Sequence, residues 1–204
     1  MTLSWGEEYL ALGGLDGLIE IYNTIDYSYH SGIKFQAEGT SLFHENPVTI
    51  MQFSHADEML ASADTKGLVK MWNLETGKLL RKIQADAISS LCWGVDPAHL
   101  LLAHQDIRLY GIRGCTVLKE YGVSAGSDFI HSVFASENRV LAVTNSGLLK
   151  IFSYATQEEL VSTNIRAHVI SVCPLYQSRG STSIDRLLIA TPKKVVELSR
   201  GGEE

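Results

Sequence analysis

One short pattern recurs five times along the chain, and it leaves few folds open. An apolar strand, a link of a few residues and a second strand of apolar–charged–apolar pattern follow one another. The second strands read IEIY at 19–22, VKMW at 69–72, IRLY at 107–110, LKIF at 149–152 and, as a weaker copy, VELS at 196–199. Their charged members, Glu20, Lys70, Arg108, Lys150 and Glu197, lie 50, 38, 42 and 47 residues apart. Propeller blades repeat at about 40–45 residues, so these intervals fit with modest loop insertions. The apolar strands before them are YLALGG at 9–14, MLASA at 59–63, HLLLA at 99–103, RVLAV at 139–143 and RLLIA at 186–190. Gly17, Gly67 and Gly147 stand in the links, where a side chain would resist the backbone conformation of a tight turn. Each pair is therefore a β-hairpin, most clearly at 59–73.

A third strand precedes each hairpin: TLSW, VTIMQF, ISSLCW, IHSVF and VISVC. A fourth follows in four cases: GIKF, KLLRKI, CTVLKEY and EELVST. Four antiparallel strands, repeated, predict an all-β propeller. About five blades are expected, near 1–36, 44–84, 86–121, 128–165 and 168–200, in one domain over 1–204. The last blade lacks an outer strand of its own. Three arrangements satisfy this: part of a longer propeller, a five-bladed ring with a three-stranded last blade, or an open arc. The expectation is a propeller, closed or nearly so, cut from or derived from something larger.

Composition narrows the chemistry. The 204 residues are 45% hydrophobic and 20% charged, enough for a sizeable core. A net charge of −6 argues against direct nucleic-acid binding, which needs a basic stripe to displace counterions. Cys92, Cys115 and Cys173 are far apart and form no CxxC pair, so neither a disulfide framework nor a zinc site is expected. No apolar run approaches the ~20 residues of a membrane span, and no signal-like start is present, which reads as intracellular with no membrane partner. None of the seven histidines forms an HxH or HExxH pair, and no Gly-x-Ser-x-Gly or EF-hand loop occurs. No catalytic residue, cofactor or metal is expected, so recognition falls to loops. Two are long: 24–41, carrying Tyr27, Tyr29 and His30, and 176–185, carrying Arg179 and bordered by Arg186. These five are the candidate partner contacts.

The hairpin at 59–73, its lead-in HENPVTIMQFS and the stretch YLALGGLDGLIEIYN together resemble WD-repeat proteins. Such units carry a buried polar set: a His before the first strand, a Ser or Thr in the second, an Asp in the tight turn and a Trp ending the third. His44 and Trp72 match its two ends. In the turn, six residues before the aromatic, the first unit has Asp16 but the second has Lys66, so the set is expected to be complete in few blades, if any. The order of units is similar to the WD-repeat half of the SMU family of pre-mRNA splicing factors. YLALGGLDGLIEIYN at 9–23, MLASADTKGLVKMWNLETGKLLRKIQ at 59–84, IRLYGIRGCTVLKEY at 107–121 and YGVSAGSDFIHSV at 121–133 carry that resemblance, which fades after 165. It implies a nuclear scaffold with spliceosomal protein partners. The family's N-terminal LisH and CTLH region, which binds the partner RED and self-associates, has no counterpart in this sequence, and the family propeller has seven blades. A RED-type partner is therefore assigned to no residue here. The competing functions are a WD-repeat adaptor in a ubiquitin ligase or chromatin complex, and an enzymatic propeller with a site in its channel.

Overall fold

The computed structural model describes residues 1–28, 44–123, 128–177 and 181–199. Among them every regular element is a strand. Blade 1 comprises β1 (Thr2–Leu3), β2 (Tyr9–Gly13) and β3 (Ile19–Asn23). Blade 2 has β4 (Val48–Phe53), β5 (Met59–Asp64), β6 (Leu68–Asn73) and β7 (Leu79–Gln84). Blade 3 has β8 (Ser90–Trp93), β9 (His99–Ala103), β10 (Ile107–Gly111) and β11 (Thr116–Tyr121). Blade 4 has β12 (Ile130–Ser136), β13 (Arg139–Thr144), β14 (Leu148–Ser153) and β15 (Glu159–Asn164). Blade 5 has β16 (Ser171–Tyr176), β17 (Ile184–Ala190) and β18 (Val195–Ser199). Each strand pairs antiparallel with the next in its sheet, as propeller blades require. The expected outer strand GIKF of blade 1 lies outside the described residues.

Burial falls from the middle of each blade to its outer edge. The second strands β5, β9 and β13 are buried along nearly their whole length, since both faces meet a neighbouring blade. β9 and the middle of β13 therefore read as unbroken apolar runs instead of alternating ones, and β5 also buries Ser62 and Asp64. The outermost β15 is exposed at every residue. Four cores lie between consecutive blades: Ile19, Ile21, Phe53 and Trp72 between blades 1 and 2; Val69, Met71, Trp93 and Tyr110 between 2 and 3; Leu109, Tyr121, Val133 and Phe152 between 3 and 4; and Val143, Leu149, Leu187 and Ile189 between 4 and 5. Among the described residues no such core joins blade 5 to blade 1. Blade 5 meets blade 1 instead through the rings of Trp5 and Tyr176, 4.8 Å apart.

The turns repeat as well. Gly17, Gly67 and Gly147 adopt φ of 83°, 76° and 89°. Their carbonyls accept from the N–H groups of His44, Ala85 and Ile165, and a Cβ on Gly67 would stand 2.3 Å from the Ala85 carbonyl oxygen. The close approach of two backbones, not only the turn angle, demands glycine there.

The fifth blade corrects one register. Val196 and Leu198 pack against blade 4, the side on which Lys70 and Trp72 of blade 2 meet blade 1. Val196, not Glu197, is thus the counterpart of Lys70. Glu197 points to the other face, because a shift of one residue flips a strand's sides.

Candidate functional site

The buried polar set of blade 2 is assembled around Ser62 in β5. The indole N–H of Trp72 donates to Ser62 Oγ at 2.9 Å, and Ser62 Oγ lies 2.7 Å from His44 Nε2. His44 Nδ1 stands 3.3 Å from Asp64 Oδ2, a charge contact outside hydrogen-bonding alignment. All four side chains are buried. Burial holds the His44 imidazole below its ordinary range, Lys70 pushes the same way, and Asp64 opposes them. Neutral His44 accepts the hydroxyl hydrogen of Ser62, whose oxygen accepts from Trp72. Asp64 Oδ1 also accepts from the N–H groups of Lys66 and Leu68, closing the hairpin turn. Burial works against the Asp64 charge, yet those donors, Asn46 and His44 together hold its carboxyl below the usual range.

The acid of this set is therefore Asp64, not a residue at the Lys66 position, and blade 2 is one of the few blades in which the set is complete. The signal in the sequence was its place two residues after Ser62. Counting back from Trp72 to the turn misses it. Asp16, at the matching turn position of blade 1, is exposed and only accepts from the Leu18 N–H. The positions that pair like Ser62 and Trp72 hold Leu12 and Tyr22 in blade 1, Leu102 and Tyr110 in blade 3, and Ala142 and Phe152 in blade 4. These sets build blades, and those of blades 2, 3 and 4 are buried while Leu12 and Tyr22 of blade 1 are half-buried.

The rim carries the exposed groups. Of the candidate contacts, Tyr29, His30 and Arg179 lie outside the described residues. Arg186 is engaged by Glu197 at 3.0 Å and Asp185 at 3.3 Å on the outer face of blade 5. Tyr27 is not in an insertion. It occupies the turn after the third strand, at the position of Gly77, Cys115 and Gln157 in blades 2, 3 and 4, and all four have positive φ. Its side chain is 78% exposed and Ile25 beside it 82%. The turn is held by bonds from Ile25 N–H to Asn23 Oδ1 and from Ser28 N–H and Oγ to Asp26 Oδ1. The sister turns have Glu75, Arg113 and Ala155 where this one has Ile25.

Sequence reading also missed an aromatic cluster. Trp5 lies 4.5 Å from His55 of blade 2 and 4.8 Å from Tyr176 of blade 5, centroid to centroid. The Asp57 carboxylate accepts from the backbone N–H groups of Trp5 and Gly6 and ties blade 1 to blade 2. Burial lowers the His55 imidazole's pKa and raises that of the Tyr176 phenol. Among the described residues no group of three His, Cys, Asp or Glu could hold a metal ion. Cys92 is buried, which pushes its thiol up to about 11 and suppresses the thiolate.

No protein-family model and no curated protein matches the sequence. Solved structures match by shape. One, "Crystal Structure of Mitotic Checkpoint Complex", superposes with a TM-score of 0.78 over 98% of this chain at 13% sequence identity. This chain spans 60% of that one. The superposition supports the WD-type β-propeller fold. With 1506 solved chains matching, the architecture is too widely used to select a function.

Proposed function

We propose that this chain is a protein-interaction scaffold that displays rim loops to partners without turnover, and that it acts in pre-mRNA splicing in the nucleus. The exposed pair Ile25 and Tyr27 carries the scaffold reading. Sister turns put polar or small residues at these two places, whereas blade 1 holds an aliphatic and an aromatic group out in solvent on a hydrogen-bonded turn. Exposed aromatics on a rigid support lose little freedom on binding and are typical anchors of protein interfaces. The splicing assignment rests on the order of the repeats and its resemblance to the SMU family.

Affinity purification of the chain from cells tests both levels. Spliceosomal proteins and small nuclear RNAs are expected in the eluate; a cullin or histone machinery there would overturn the splicing assignment. Replacing Ile25 and Tyr27 by the blade 2 residues, Ile25→Glu with Tyr27→Gly, should strip partners at unchanged thermal stability. Full retention of every partner would refute these two residues as the anchor.

A further inference from the structure

We infer that a cavity between blades 2 and 3 is a socket for an arginine side chain of a partner protein. This deepens the scaffold reading and rests on it.

The cavity exists because one side chain of the repeat is too small. The residue that leads into a blade crosses the tight turn of the blade before it: His44, Ala85 and Ile165 donate their N–H groups to the carbonyls of Gly17, Gly67 and Gly147. Strand pairing puts Val123 at the same place, since Tyr121 faces Ile107 as Ile83 faces Val69. His44 and Val123 are fully buried there, and Ile165 packs on the core between blades 4 and 5. Blade 3 has only the methyl of Ala85, and beside it lies a cavity of about 200 Å³. Its walls include Leu102 and Tyr110, which stand where blade 2 has Ser62 and Trp72, and His104, which stands where blade 2 has Asp64. Blades 2 and 3 each have all four strands, so no absent strand accounts for the opening.

Shape, an unmet hydrogen bond and charge select the occupant. In blade 2 the same place takes an imidazole, a flat ring that carries nitrogen. In blade 3 the Nδ1 of His104 is buried without a hydrogen-bond partner, while its ring rests on Phe129 at 4.6 Å. A polar group entering from outside would meet that nitrogen. Asp86 and Asp106 stand exposed at the mouth. Arg108 also lines the cavity, but Glu120 engages it at 3.0 Å, so three carboxylates stand against one guanidinium. This balance opposes an anion and favours a flat cation. Arginine meets each demand: its planar guanidinium can donate to a nitrogen and a carboxylate together and stack on a ring such as that of Tyr110. The volume suits one side chain, being below the ~300–1,000 Å³ of sites for drug-sized ligands. The socket opens beside Gln105, in the link from second to third strand, whereas Ile25 and Tyr27 lie in the turn after a third strand. Antiparallel order puts the two at opposite ends of the blades, so they are separate anchors.

The whole chain is titrated with N-acetyl-arginine amide, and in parallel with the citrulline and lysine analogues, while NMR follows the His104 ring and the Asp86 and Gln105 amides. The arginine compound should give saturable shifts with a Kd of about 1 mM, the weight that so small a group carries. The uncharged citrulline and the non-planar lysine should bind about tenfold more weakly. Ala85→Val puts the residue of blade 4 into the socket and should abolish the shifts. Asp86→Asn, at an exposed site that leaves the fold alone, should weaken binding about threefold. In cells, a benzophenone amino acid at Gln105 should capture a foreign protein through an arginine-containing segment, and Ala85→Val should remove that product. No saturable shift by about 50 mM, equal binding of either analogue, or crosslinks only to this same polypeptide overturn the proposal. If capture at Gln105 fails while Ile25→Glu with Tyr27→Gly still strips partners, only the socket falls; if neither change removes a partner, the scaffold reading falls with it.

Discussion

Blade 2 and blade 5 are built on one plan and stabilised differently. Blade 2 has four strands, a glycine turn and the buried chain Trp72–Ser62–His44–Asp64. In blade 5 the places of Ser62 and Trp72 fall to Ile189 and Leu198, and that of His44 to Ile165, whose N–H reaches Gly147 as His44 reaches Gly17. Its tight turn has no glycine and is closed by Thr191 Oγ1 donating to the Lys194 carbonyl. A blade thus needs an apolar face at these positions. The polar set is an addition that makes one arrangement of the hairpin much better than its neighbours, because any slip leaves buried donors unpaired.

The largest break in this comparison is at the third-strand aromatic. Trp72→Ala empties a site that is 2% exposed and removes the indole donor of Ser62 Oγ, and should cost about 3–5 kcal/mol in denaturant unfolding. Leu198→Ala, at the matching half-buried site, should cost about 1 kcal/mol, in line with its smaller buried area. Equal costs would show that the two blades are coupled as one unit. Next, Ser62→Ala leaves the Trp72 N–H and His44 Nε2 without partners, at about 1–3 kcal/mol. Ile189→Val removes one methyl from a fully buried site, at about 1 kcal/mol. The double variant His44→Leu with Ser62→Ala should lose less than the two single changes summed, because neither partner is then left alone.

Gly67→Ala should destabilise by about 1–3 kcal/mol, since a non-glycine residue at φ 76° is strained and its Cβ meets the Ala85 carbonyl. Lys193→Ala in the turn of blade 5 carries neither burden and should leave the unfolding midpoint unchanged.

The repeat was legible because strand pattern, turn glycines and period all agree, and the middle strands fell within a residue or two of expectation. Three things were not. The first strand of blade 5 runs Ser171–Tyr176, later than VISVC suggested, since its apolar run begins in the loop at Val169. Glu197 looked like the charged member of the pattern, yet Val196 and Leu198 are what blade 4 buries, and burial decides the register. Asp64 escaped because it serves the polar set from the end of β5, while the turn was searched at Lys66.

Acid should separate the two blades most gently. His44 in blade 2 has its folded-state pKa lowered, first by burial and then by Lys70, below the ordinary 6.5. The unfolded chain therefore binds protons before the folded one as pH falls. The stability contributed by the neutral ring is whole above pH 6.5 and is lost as pH drops from there toward the depressed folded value. His55, lowered by burial, adds to the same slope. Each full proton taken up on unfolding changes stability by about 1.4 kcal/mol per pH unit. His44→Gln keeps an acceptor for Ser62 without a titrating ring. It should unfold more easily at pH 7.5 but show a visibly shallower loss between pH 6.5 and 5. An unchanged slope would place the acid sensitivity in His55 beside Trp5, and not in the network of blade 2.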